Sequence, residues 1–395
     1  MRLFLFALII SSSFLCAGCA RETNDSDTDS TPLTVWYLNN TTGLEAAIVR
    51  AASELSATET IAPVSYKACT VLELKLLAEG HHVIDNPDVI IVPSEYLAML
   101  ASSNVLQRAV QPSEVEIPVA MQSCVWQGAS WATPLACDTR MLFINKDLFR
   151  TDSLTPFLIS STNILTYSSA FTGPSGGFWA AQNDDPEMMY RTILSWISMF
   201  GAEVFDQNSN PVLSSIQNVR ALESFADLAH EGTTETERYL DGAFRHGSIG
   251  FWYGRASLTR DLHQRSSNNW LMRQLHSENH APIVFTTVAC VSRTTTNARL
   301  ASRFITALKK SIEVHSVAGF PTTRDYWTSS SKTGSYDMTL TFQSMMKGRC
   351  IPSHPQWDEI CPILESAYTR VILGLAEPEQ SLQQAQNELI QLRAS

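Results

Sequence analysis

Residues 133–149 read TPLACDTRMLFINKDLF, an apolar run with one aspartate near its middle and a polar Asn-Lys-Asp turn at its end. Within it, residues 140–144 predict a buried β-strand, because large apolar side chains follow one another without a break. Residues 33–38 (LTVWYL) and 87–92 (PDVIIV) have the same character, and residues 43–57 between them repeat apolar side chains at helical spacing. Apolar strands that alternate with helices are typical of an α/β fold with a mainly parallel sheet.

Helices predominate in the second half of the chain. Pro186 stands at a favoured first helical position, and Gly201 ends the apolar pattern that follows. Further helices are predicted for residues 215–229, 296–310, 335–347, 357–373 and 378–392. Strands are predicted for residues 248–253 and 282–291. The apolar stripes of these helices indicate core packing rather than a cofactor site.

The length and charge of the chain exclude several classes of protein. With 395 residues it exceeds the size of one hydrophobic core, so two lobes are expected. A composition with 44% hydrophobic and 17% charged residues is that of a globular protein. The formal net charge of −11 argues against a sequence-independent nucleic-acid binder, which needs a basic face.

The first residues have the pattern of an export signal. Residues 1–18 contain one charge, Arg2, followed by an apolar run and small residues. Three serines interrupt the apolar run early, so a permanent membrane span of about 20 apolar residues is the weaker interpretation. The end of the segment resembles a bacterial lipoprotein signal, in which Cys19 becomes the lipidated first residue. Residues 19–32 are rich in Asp, Ser and Thr and predict a flexible tether.

Cysteines and histidines do not indicate a metal site or a cofactor. Outside the leader the cysteines are Cys69, Cys124, Cys137, Cys290, Cys350 and Cys361. They are either buried thiols or up to three disulfides whose pairing the sequence leaves open. The short Cys350–Cys361 loop is the first candidate for a disulfide. Neither a body C-x-x-C pair nor H-E-x-x-H occurs, and the adjacent His81 and His82 stand in a polar loop.

Five segments in order resemble the family-one extracellular solute-binding proteins of ABC importers, the maltose-binding-protein-like group. They are LTVWYLNNTTG (33–43), NPDVIIVPSEYLAML (86–100), TPLACDTRMLFINKDLF (133–149), YLDGAFRHGSIGFWYG (239–254), and the tail segments AGFPTT (318–323) and ILGLAEPEQSLQQAQNEL (372–389). Each motif is loose alone, whereas five in order behind a lipoprotein leader are specific.

The resemblance implies a two-lobed periplasmic-binding-protein fold of type II, with a mainly parallel sheet and flanking helices in each lobe and a hinge between them. The N-terminal lobe would comprise residues 33–137 and 284–324, and the C-terminal lobe residues 138–283 and 325–395. The protein would bind a small solute, a sugar or an oligosaccharide, as a monomer without catalysis or a cofactor. Its partners would be an ABC permease with its ATPase, at the extracytoplasmic face of the membrane that holds Cys19.

The resemblance also assigns candidate ligand-binding residues. Side chains that would hydrogen-bond a sugar are Asn39, Asn40, Glu95, Tyr96, Asp138 and Arg255. Aromatic side chains that would pack on the sugar ring or close the site are Trp179, Trp252, Tyr253 and Phe320. Sugars offer hydroxyls for the first group and an apolar face for the second. Core packing is the competing interpretation for Trp252, and bracing of the crossover is the competing one for Asp138.

Other functions stay open at this point. The segment after residue 149 is shorter than in the family, and the tail near Arg349 resembles the glycerophosphodiester-binding branch, with Asp358 at or beside the position of its phosphate-binding arginine. Residues 173–177 satisfy the G-x-S-x-G pattern of a serine hydrolase, with Ser175 as nucleophile. Pro174 and the absence of a helix directly after Ser175 argue against a nucleophile elbow. A structural surface lipoprotein without a small ligand is the third class.

Overall fold

The computed structural model describes residues 32–39, 43–58, 61–81, 85–109, 115–148, 179–180, 186–231, 233–234, 237–265, 269–275, 281–333 and 336–394. The strands are β1 (Leu33–Leu38), β2 (Val64–Cys69), β3 (Val89–Pro93), β4 (Val125–Trp126), β5 (Ala129–Ser130), β6 (Thr133–Asn145), β7 (Trp179–Ala180), β8 (Thr233–Thr234), β9 (Phe251–Arg255), β10 (Trp270–Arg273), β11 (Ile283–Val291), β12 (Phe320–Pro321) and β13 (Arg349–Cys350).

The helices are α1 (Leu44–Thr58), α2 (Val71–Ala78), α3 (Leu97–Ser102), α4 (Pro118–Gln122), α5 (Pro186–Met199), α6 (Ile216–Glu231), α7 (Glu237–Arg245), α8 (Thr259–Arg265), α9 (Ala298–Lys310), α10 (Ile312–Ala318), α11 (Arg324–Thr333), α12 (Tyr336–Lys347), α13 (Trp357–Ile372) and α14 (Pro378–Ala394). Two 3₁₀ turns, Ser94–Tyr96 and Ala256–Leu258, follow β3 and β9 directly.

Strand β6 joins the two halves of the main sheet. Its first half pairs with β11, and β11 continues the sheet through β3 and β1 to β2. Its second half pairs with β9 on one side and β10 on the other. We call the part around β1, β2, β3 and β11 the first lobe. The part around β9, β10, α5, α6 and α13 is the second lobe.

The predicted α/β class is confirmed, and the sheet is mixed in direction. Strand β1 pairs parallel with β2 and β3, as the β-α-β pattern predicts. The long strands β6 and β11 pair antiparallel with each other and with their other long neighbours. A fully buried strand is apolar in either direction, so the apolar runs could not distinguish these pairings.

The core of the first lobe is formed by the residues that the sequence pattern predicts. Helix α1 buries Leu44, Ile48, Ala51 and Leu55 against β1, β3 and α9. A second and larger cluster of buried side chains runs through the second lobe and the crossover. In the described part of the chain, no helix has the length and apolar character that a membrane span requires.

The candidate disulfide between Cys350 and Cys361 is wrong. The structure has all six cysteines of the body as free thiols, and burial raises the pKa of Cys124, Cys137 and Cys290. Cys361 lies in α13 and packs into the core, while Cys350 lies in the short strand β13. The alternative interpretation, in which these cysteines are small buried apolar side chains, describes them correctly.

Candidate functional site

A carboxylate of the first lobe meets two side chains of the second lobe where β3 ends. Glu95 lies in the 3₁₀ turn after β3 and has no exposed surface. Its Oε1 accepts a hydrogen bond of 2.7 Å from the hydroxyl of Tyr190 and one of 3.2 Å from Nε of Arg191. Nη2 of Arg191 lies 3.2 Å from the same oxygen, and Ser94 donates to Oε2 at 3.3 Å. We call Glu95, Tyr190 and Arg191 the interlobe triad.

Aromatic rings surround the interlobe triad. The ring of Trp357 meets that of Tyr190 edge-on, with centroids 6.0 Å apart. The guanidinium of Arg191 lies 5.0 Å from the ring centre of Phe285. Burial raises the pKa of Tyr190 far above its ordinary value, so its hydroxyl stays protonated and donates at neutral pH. Nε1 of Trp357 is buried and has no hydrogen-bond partner among the described residues.

The family resemblance named Glu95 as a candidate, but sequence reasoning did not name Tyr190, Arg191 or Trp357. It assigned the helix that carries Tyr190 and Arg191 to core packing, because the apolar stripe of α5 is strong. The signal that could have identified the pair is an arginine beside a tyrosine near the start of an otherwise apolar helix. Such a cation is seldom buried without a partner, and its side chain here is only 14% exposed.

The second group of candidate residues lies at the crossover. Asp138 stands in the middle of β6 and is 4% exposed. Its Oδ1 accepts from the backbone amides of Thr139 at 2.8 Å and Ser257 at 3.1 Å, and its Oδ2 accepts from the Ser257 hydroxyl. Burial raises the pKa of Asp138, while Arg255 and these hydrogen bonds oppose the rise. The carboxylate thereby fixes the 3₁₀ turn that follows β9.

Two arginines of the second lobe hold the loop that leads into β12. Arg255 Nη1 donates to the carbonyl of Val317 at 3.3 Å. Arg260 Nη2 donates to the carbonyls of His315 and Gly319, and its guanidinium lies 4.8 Å from the ring centre of Phe320. These contacts fasten the end of β9 and the start of α8 to this loop, beside the crossover in β6.

Other predicted ligand residues are buried in the core of this structure. Trp252 is 1% exposed and packs on Phe143, with ring centres 5.3 Å apart. Tyr96, Tyr253 and Phe320 are also buried. None of these four belongs to the interlobe triad, and their roles in binding stay predictions.

The remaining predicted residues lie at the edges of the described chain. Asn39 follows β1 and is exposed, with its amide bonded to the carbonyl of Cys69 at 2.9 Å. Trp179 lies in β7, which pairs parallel with β8. Asn40, Cys19 and Ser175 lie outside the described residues. Among the described side chains, no group of three or more His, Cys, Asp or Glu could hold a metal ion.

Comparison with known proteins identifies the fold. No protein-family model matches the chain, and no curated protein does. Solved structures match it closely in shape. An ABC substrate-binding protein of Listeria monocytogenes in complex with cycloalternan has a TM-score of 0.75 at 15% identity, over 93% of this chain and 100% of that one.

Two further structures agree with this match. A maltose-bound protein of T. maritima has a TM-score of 0.77 at 14% identity, over 91% of this chain and 99% of that one. An ABC transporter solute-binding protein of Agrobacterium radiobacter K84 in complex with ribitol has a TM-score of 0.75 at 19% identity, over 92% and 99%. The chain therefore has the two-lobed α/β fold of the maltose-binding-protein-like solute-binding proteins, and these neighbours are binding proteins rather than enzymes.

Proposed function

We propose that this protein is the solute-binding component of an ABC importer and captures a sugar or short oligosaccharide between its lobes. The observation that carries the proposal is the interlobe triad, in which Glu95 of the first lobe meets Tyr190 and Arg191 of the second. The complexes of structural neighbours with cycloalternan, maltose and ribitol support a polyhydroxylated solute.

The chemistry of the interlobe triad suits a sugar. A carboxylate accepts hydrogen bonds from hydroxyls, a guanidinium donates to them, and aromatic rings pack on the apolar face of the sugar ring. Glu95 and Arg191 supply the polar groups, and Tyr190 and Trp357 supply the rings. The Nε1–H group of Trp357 is buried and makes no hydrogen bond among the described residues. A hydroxyl oxygen of the solute can accept a hydrogen bond from it. When a solute enters, its hydroxyls replace the hydrogen bonds that Glu95, Tyr190 and Arg191 now make with one another.

Capture is a closure of the lobes on the solute. A ligand that contacts both lobes favours the closed arrangement by the difference in its affinity for the two arrangements. We assign residues 33–137 and 284–324 to one lobe and residues 138–283 and 325–395 to the other, with the hinge at the crossover. The closed form would then dock on a membrane permease, whose ATPase drives import. In this proposal the protein acts as a monomer and forms no covalent intermediate.

A thermal-shift measurement with a panel of sugars tests the proposal. A solute that binds only the folded protein stabilises it by about 2.7 kcal/mol at one hundred times Kd. We expect at least one mono- or oligosaccharide to raise Tm, and Glu95→Gln to reduce that rise. Arg220→Gln, a change of an exposed arginine on α6, is the control and should leave it unchanged. Stabilisation by no sugar, or equally in Glu95→Gln and the control, would contradict the proposal.

We further propose that Cys19 carries the lipid that anchors the protein at the extracytoplasmic face. One acyl chain holds a protein only marginally, so stable anchoring implies more than one chain. Growth with a labelled fatty acid should label the wild-type protein and not Cys19→Ala. Equal labelling of both proteins would overturn this assignment.

A further inference from the structure

A pocket lies in the first lobe, at the opposite end of the sheet from the interlobe triad. It has a volume of about 500 Å³ and lies between α9, the start of β6 and the end of β11. Its lining residues Ala289 and Val291 pair with the early part of β3, whereas Glu95 follows the last residue of β3. The pocket is therefore separate from the proposed solute site, and its volume falls within the range of about 300–1,000 Å³ common for small-ligand sites.

The walls of this pocket combine an apolar floor with one aromatic side. Pro134, Ala289, Val291 and Ile305 form the apolar part. The half-buried indole of Trp131 forms one side and is held by a hydrogen bond of 3.1 Å from its Nε1 to the carbonyl of Trp126. A flat apolar or aromatic body would pack on these groups and be shielded from water.

The charges of the lining residues do not balance. Glu116 is 3% exposed and pairs with Lys309, so these two charges offset each other. Arg108 is exposed, lies 5.7 Å from the ring centre of Trp131, and has no hydrogen bond or ion pair with a described residue. One positive charge at the rim is thus available to a ligand. A guanidinium binds a carboxylate through two parallel hydrogen bonds.

We propose that this pocket binds a small aromatic carboxylate, with the carboxylate on Arg108 and the ring on Trp131. This site is independent of sugar capture. The aromatic ring of the ligand would pack on the apolar floor of the pocket, and its carboxylate would pair with Arg108 at the rim.

Calorimetry on the full chain with phenylacetate tests the proposal. We expect saturable binding of one molecule per chain. Arg108→Gln should weaken it at least about tenfold, the effect of losing a hydrogen bond to a charged group. Thr306→Trp, which adds an indole to an exposed position of α9 on the pocket wall, should abolish it. Arg220→Gln is the matched control and should bind as the wild type does.

Three outcomes would overturn the proposal. Benzyl alcohol binding as tightly as phenylacetate would show an apolar cavity without a charge requirement. Binding that survives both Arg108→Gln and Thr306→Trp, or absence of binding in the wild type at millimolar concentration, would exclude this pocket as the site. Arg191→Gln distinguishes the two sites, because it should weaken sugar binding and leave phenylacetate binding unchanged.

Discussion

Asp138 and Glu95 are both buried carboxylates, yet their hydrogen-bond partners differ in kind. Asp138 accepts from two backbone amides and one hydroxyl, all of them at the crossover. Glu95 accepts from the side chains of Tyr190 and Arg191, which belong to the other lobe. Partners such as those of Asp138 stay in place whether the lobes are open or closed. Partners such as those of Glu95 must separate when the lobes open, and a solute can replace them.

This difference in hydrogen-bond partners distinguishes a structural carboxylate, Asp138, from a proposed ligand-binding one, Glu95. Burial alone does not distinguish them. Each carboxylate has almost no exposed surface. The residues around Asp138 fasten the chain where it passes between lobes, so substitutions there should affect folding first. Substitutions in the interlobe triad should affect solute affinity first. The following experiments test that division, beginning with the largest expected effect.

The crossover should tolerate no side chain at Gly319. This residue has φ of +132°, and a Cβ there would lie 2.4 Å from the carbonyl oxygen of Cys137. Gly319→Ala should therefore lower the free energy of unfolding by about 3–5 kcal/mol. Gly374→Ala is the control, since φ is +67° there but the space is open, and it should cost about 1–2 kcal/mol. Urea denaturation measures both, and equal losses would show that the crossover is not tightly packed.

Asp138→Ala should be the next largest change. It leaves the amides of Thr139 and Ser257 without their acceptor, at a cost of about 2–4 kcal/mol in the free energy of unfolding. Ser257→Ala removes one donor only and should cost about 1 kcal/mol.

Sugar affinity then decides between the two interpretations of Asp138. If the carboxylate only braces the crossover, Asp138→Ala should change affinity by less than about threefold. A loss of about tenfold or more would place it on the solute, as the sequence resemblance implies.

Glu95→Gln should have the opposite effect to Asp138→Ala, with a small change in stability and a large loss of sugar affinity. The amide still accepts from Tyr190 but loses the charge that attracts Arg191, so stability should change by less than about 2 kcal/mol. Affinity for the sugar identified in the panel should fall about tenfold or more. Tyr190→Phe should weaken binding in the same direction, and Tyr66→Phe, at an exposed tyrosine of β2, should not. Titration calorimetry measures all three, and unchanged affinity in both triad variants would remove the triad from the site.

The sequence predicted the α/β class because the apolar runs and their order are local properties, whereas the two-lobed fold was expected from the chain length and the family resemblance. Strand β1 and the apolar face of α1 follow directly from the apolar runs. Glu95 became a candidate through the resemblance of residues 86–100 to the solute-binding-protein family, and its role in binding stays a prediction. The sequence could not predict Tyr190 and Arg191, because their partner is 95 or more positions away in the chain. For Trp252 the sequence left two interpretations open, because an aromatic residue in a strand gives the same pattern whether it packs inward or faces a ligand.

Acid should loosen the crossover through His315. Burial, with Arg260 as a second cause, lowers the pKa of this histidine from 6.5 to about 4. Between these two pH values the unfolded chain binds a proton at His315 and the folded protein does not. The contribution of the neutral imidazole to the free energy of unfolding is therefore complete above pH 6.5 and is lost as the pH falls toward 4.

Partial exposure of the ring limits the loss to about 1–3 kcal/mol. In His315→Gln the urea midpoint should depend less on pH over this range. The same pH dependence in both proteins would assign it to other groups.

The smallest effect is expected from a more exposed contact between the lobes. Lys75 of α2 lies 3.1 Å from Asp358 and 2.9 Å from Glu359, both at the start of α13. Its side chain is 35% exposed, so the pairs should contribute less than about 1 kcal/mol and weaken as salt screens them. Lys75→Ala should therefore lower sugar affinity two- to threefold at most, and only at low salt.

Lys67→Ala is the matched control, because the Lys67–Glu73 pair lies within the first lobe. It should leave affinity unchanged at any salt concentration. The loss caused by Glu95→Gln should persist at high salt, since that carboxylate is buried where ions screen little. A Lys75→Ala effect as large and as salt-resistant as that of Glu95→Gln would show that closure depends on the rim of the lobes rather than on the interlobe triad.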